Sequence, residues 1–109
     1  MKAIRLLLLS IVLFPTVAYG GQIFGTLTVD NRPVGKDVTV IIECGATNGK
    51  GQTDAYGSYK VFVPKGKCTL KVIYGGQELL FALYSYDDPV RYDFSIVRQS
   101  NGSLTLQRR

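Results

Sequence analysis

The chain has no histidine and no tryptophan, and it carries only two cysteines, two glutamates and four prolines. Without histidine, the Ser-His-Asp, Cys-His and His-metal routes to catalysis are closed. Glu43 and Glu78 fall on separate segments, so nothing ties them into an acid–base pair. Cys44 and Cys68 lack the short spacing of a redox or zinc motif. No apolar run is long enough for a membrane-spanning helix, the longest being Leu6 to Phe14. Helical periodicity, internal repeats and low-complexity tracts are absent as well.

The N-terminus reads as a secretory signal peptide over residues 1–20. Lys2 and Arg5 precede the apolar run, and Ala18 and Gly20 supply small residues before an expected cleavage site ahead of Gly21. The mature part, residues 21–109, would form one domain in the periplasm or outside the cell. It carries eleven basic against eight acidic side chains, a net charge of +3. That is too mild for nucleic acid, and it suits an envelope protein or an anionic glycan as partner. Export would oxidise Cys44 and Cys68 to a disulfide, since both have core-facing parity on their strands.

Apolar alternation of period two runs through nearly all of the mature part. Strands are expected at Gln22–Val29, Asp37–Cys44, Ser58–Val63, Cys68–Val72, Gln77–Tyr86 and Val90–Val97, with a last one through Leu104 and Leu106. Asp30–Pro33, Asp54–Gly57, Gly75-Gly76, Asp87-Asp88-Pro89 and Asn101-Gly102 supply the turns. Gly45–Gly51 reads as a flexible loop. Pro64–Lys67 reads as the connection of a hairpin, which would place Val63 opposite Cys68 and Lys60 opposite Lys71. The sum is an all-β, antiparallel sandwich of seven or eight strands.

The order Gly25-x-Leu27-x-Val29, Pro33-Val34, Val38-x-Val40, Thr53-Asp54-x-x-Gly57-x-Tyr59 and Val63-Pro64-x-Gly66-x-Cys68-x-Leu70-x-Val72 resembles the carboxypeptidase regulatory-like domain. The likeness spans Gln22 to Ile96. It implies a transthyretin-like Greek-key sandwich, and it resembles small exported bacterial proteins in which the module stands alone. An internal Lys–Asn isopeptide bond, found in related adhesin domains, finds no support, because Lys36 and Asn101 fall in turns and Glu43 points outward.

Candidate binding residues are those that the strand pattern does not need. Tyr84 and Tyr86 offer flat amphipathic area beside Asp87, Asp88 and Arg91. Lys60 and Lys71 form a like-charged pair that an anionic partner or Glu43 would relieve. Asp87, Asp88 and Asp93 lack the spacing of a calcium loop, and Asp87-Asp88-Pro89 reads as a turn. The expectation is an exported, non-catalytic binding module with no cofactor, recognising an envelope protein or glycan. The alternative is a structural or assembly protein acting by edge-strand pairing, with a small hydrolase third.

Overall fold

The computed structural model describes residues 21–109, so the signal-peptide reading lies outside the described residues. The described chain is all-β. Its strands are β1 (Gly21–Val29), β2 (Arg32–Pro33), β3 (Thr39–Cys44), β4 (Thr47–Gln52), β5 (Ser58–Val63), β6 (Gly66–Tyr74), β7 (Gln77–Ser85), β8 (Val90–Arg91), β9 (Phe94–Arg98) and β10 (Leu104–Arg108). One sheet centres on β1, which pairs with β2, β5, β8 and β9, while β10 extends it beyond β9. The other runs β4-β3-β6-β7.

The sheets pack face to face as a β-sandwich. Val40, Ile42, Leu70, Val72 and Leu79 project from the second sheet onto Ile23, Leu27, Tyr59, Val61 and Phe94 of the first, all of them buried. Phe81 and Phe94 meet edge to face across the layers with ring centroids 4.8 Å apart. The register pairs Glu43 with Thr69, so the next pair is Cys44 with Cys68, and these two are joined by a disulfide within the second sheet. In the chain-entropy model such a closure contributes about 3 kcal/mol. It is also the chemistry of an oxidising compartment.

Turn residues act largely as their chemistry dictates. The Asp54 carboxylate accepts the backbone N–H groups of Tyr56 and Ser58 at 2.9 and 3.0 Å, and Gly57 takes φ +75°. Thr53, which is buried, clamps the loop before β3: its hydroxyl donates to the Gly35 carbonyl at 2.6 Å and accepts the Val38 N–H at 3.0 Å.

Several expectations need correction. Asp30 and Asn31 alone make the first turn, both at positive φ, and Arg32-Pro33 returns as a short edge strand opposite Val29 and Thr28. An edge position tolerates proline because no ladder donor is required of it. Residues 45–51 are not a flexible loop: Gly45 and Ala46 form the turn, and Thr47–Gln52 pairs with β3 along its length. Gly49 and Gly51 serve close approach rather than flexibility. A side chain at Gly49 would meet the Phe62 carbonyl and the Val63 methyl at 2.8 Å, because β4 crosses directly over β5.

The hairpin between Val63 and Cys68 does not exist. β5 pairs with β1 in one sheet and β6 with β3 and β7 in the other, so Pro64-Lys65 carries the chain from one sheet to the other at the surface. Both strands bury the same parity, and alternation alone cannot tell side-by-side pairing from packing across a sandwich. Lys60 therefore lies opposite Phe24, and Lys71 opposite Ile41 and Leu80, in different sheets. The sheets are also not wholly antiparallel. β8 and β9 run parallel to β1, since the chain reaches them from the far sheet in the same direction.

Candidate binding surfaces

The parallel β8–β9 segment sets the geometry on the first sheet. β8 and β9 share one register against β1, Phe24 facing Arg91 and Leu27 facing Phe94, with Tyr92 and Asp93 between them. The Tyr92 N–H donates to the Phe24 carbonyl at 2.8 Å. At the next step the Asp93 carboxylate substitutes for a ladder acceptor, taking the Thr26 N–H at 2.8 Å and the Thr26 hydroxyl at 3.1 Å. Its other oxygen accepts from Arg91 Nε at 2.8 Å. Burial pushes the Asp93 carboxyl up, but the Arg91 hydrogen bond, the two Thr26 bonds and the Arg91 charge together hold it below the usual carboxylate range.

On the outer face of this sheet Phe24 stands between Lys60 and Arg91, with the guanidinium 5.7 Å from its ring centroid. These residues, with Gln22, Gln52, Ser58 and Asp54, whose carboxylate is engaged by the Tyr56 and Ser58 N–H groups, line an open concavity of about 500 Å³. The C-terminal arginines close in at the same end. Arg109 Nη2 donates to the Thr26 hydroxyl at 2.6 Å and Arg108 Nη2 to the Arg91 carbonyl at 3.1 Å.

The second sheet presents a different surface. β7 buries Leu79 and Leu83 in the core, packs the half-buried Phe81 against it, and turns Glu78, Leu80, Ala82 and Tyr84 outward. Tyr84 and Tyr86 are 40% and 52% exposed, and their rings lie 4.9 Å apart at a 37° tilt. Tyr84 borders an open concavity of about 650 Å³ floored by Thr69 and Ala82, with Glu43 and Lys67 at its rim. Small side chains at the floor create the depression, because register places Thr69 beside Ala82 and Glu43 beside Thr69. Lys71 on the same face lies 3.5 Å from Glu43 and 4.0 Å from Glu78, so its charge is met within the sheet.

The β7 edge is partly covered. The Tyr92 hydroxyl lies 3.4 Å from both the N–H and the carbonyl of Tyr84. At the other end the Gln77 side chain exchanges hydrogen bonds with Leu104 N–H and the Gly102 carbonyl. Beneath, the buried Tyr59 hydroxyl donates to the Tyr92 carbonyl at 2.6 Å, and burial pushes its phenol well above the ordinary range.

The residues singled out from the sequence thus divide. Tyr84 and Tyr86 form one surface, and Lys71 shares its sheet. Arg91 and Lys60 meet on the other sheet, around Phe24. Asp87 pairs with Lys65 at 3.5 Å, Asp88 is exposed, and Asp93 serves Arg91 and Thr26, so the three aspartates do not act as one group. Sequence reasoning missed Phe24, Thr69 and Ala82. Phe24 was detectable as the only aromatic on the outward parity of β1.

No family model matches the chain, and no curated protein does. Among solved structures it is similar to the Bacillus anthracis TIE protein, at 12% identity and TM-score 0.57, covering 69% of this chain and 16% of that one. It is also similar to a Bacteroides uniformis structure named "putative carbohydrate binding protein", at 13% identity and TM-score 0.53, covering 84% and 54%. The chain spans about a sixth of the first and about half of the second. At these identities the likeness is one of fold.

Proposed function

We propose that this protein is a non-catalytic, exported glycan-binding module of transthyretin-like, carboxypeptidase regulatory-like type. Its primary surface is the Tyr84/Tyr86 face of the second sheet. The observation that carries the reading is the exposed Tyr84 at the mouth of a concavity with a small-residue floor and a Glu43/Lys67 rim, its ring extended outward by the neighbouring Tyr86. Aromatic faces stack on the apolar faces of sugar rings, and a few polar groups at the rim bond ring hydroxyls. Lys71 on this face is held between two glutamates, which leaves stacking on the tyrosine rings as the main contact and suits an uncharged sugar. The name of the Bacteroides uniformis relative supports the same class of ligand.

The test is binding of the purified protein to neutral envelope-type oligosaccharides by calorimetry. Saturable binding abolished by Tyr84→Ala with Tyr86→Ala supports the reading. Capture of a discrete envelope protein by that face, with no sugar affinity, replaces it with a protein partner.

A further inference from the structure

We propose that the outer face of the first sheet is a second and independent binding site, built for a carboxylated sugar such as a uronic acid residue in a polysaccharide. Its core is the cross-strand row Lys60–Phe24–Arg91, two cations flanking one aromatic ring on three neighbouring strands. Phe62 lies one row away on the same face, diagonal to Phe24, and is 56% exposed. A ring beside cations and a side-chain amide, Gln22, matches a pyranose that carries both hydroxyls and a carboxylate.

The arginine is already posed for that anion. Asp93 is fixed by both Thr26 groups and holds Arg91 through Nε alone, at 2.8 Å. This locks the plane of the guanidinium and leaves its two terminal nitrogens free of any ion pair among the described residues. That fork is the geometry for two parallel hydrogen bonds to one carboxylate. Lys60 likewise has no ion-pair partner among the described residues, unlike Lys65 and Lys71. The contrast with the tyrosine face, where Lys71 is met by two glutamates, separates the two sites by ligand chemistry.

The experiment titrates the protein with trigalacturonate, neutral galactotriose, a triglutamate peptide and inorganic phosphate, reading backbone amide shifts and affinity. Trigalacturonate should perturb Phe24, Lys60 and Arg91, bind more weakly as salt rises, and exceed the other three probes. Arg91→Gln should weaken it about tenfold or more, and Arg91→Lys should recover only part, because the fork is lost. Lys60→Gln, on an exposed position, should weaken it without altering the fold. Tyr84→Ala should leave it unchanged, which distinguishes this site from the tyrosine face. Triglutamate or phosphate binding as tightly as trigalacturonate overturns the sugar assignment, and an absence of shifts at these residues overturns the site.

Discussion

The Tyr59 hydroxyl donates a 2.6 Å hydrogen bond to the main-chain carbonyl of Tyr92 inside the sandwich. Tyr92 in turn places its own hydroxyl against the backbone of Tyr84, so a chain of three tyrosines links the core of one sheet to the β7 edge of the other. Tyr59→Phe keeps the ring and removes the donor, leaving a buried carbonyl unsatisfied. A loss of about 1–3 kcal/mol in urea denaturation is expected. Tyr92→Phe should cost less, since its hydroxyl contacts are long, and should loosen the β7 edge in hydrogen exchange.

Asp93 makes acid stability diagnostic. Its folded carboxyl titrates below the ordinary value, so its contribution is fully present above the unfolded value of about 4 and is lost as pH falls through the folded one. Denaturation midpoints measured downward from pH 5 should fall in the native protein. Asp93→Asn should lower stability near neutral pH and flatten that fall.

The glycines of β4 are there for space. Gly49→Val should destabilise by about 1–3 kcal/mol or prevent folding, as overpacking between β4 and β5. Gly45→Asn places a side chain in open space at φ +64°, which asparagine tolerates, and should change the thermal midpoint little.

The disulfide gives a prediction that needs no ligand. Native protein unfolded in denaturant should show no free thiol, and Cys44→Ser with Cys68→Ser should cost about 3 kcal/mol.

Much of this architecture is written in local patterns. Alternation marked β1, β5, β6 and β7, and Asp54, Gly57 and Gly75-Gly76 marked their turns, because each feature depends on neighbours a few residues away. Pairings across the tight turns were legible, β6 with β7 and β9 with β10, while the long-range pairings were not. Val61 and Leu70 have the same parity whether they sit side by side or across a core, so parity does not separate a Lys60–Lys71 pair from two lysines in different sheets. Glycine was ambiguous in the same way, since Gly49 and Gly51 look alike as flexible linker and as close-packed strand. Of the candidate surfaces, Tyr84 and Tyr86 were visible as apolar residues on the wrong parity. Arg91 was visible only as a charge, because the Phe24 and Lys60 that complete its row come from two distant segments.

The most direct test of the account compares the native protein with Tyr84→Ala/Tyr86→Ala for binding to neutral envelope oligosaccharides, with thermal melts run in parallel. Both rings are substantially exposed, so the account predicts loss of sugar binding with a melting temperature within a few degrees of native. Unchanged sugar binding, or a collapse in stability that shows the pair to be structural, would contradict it.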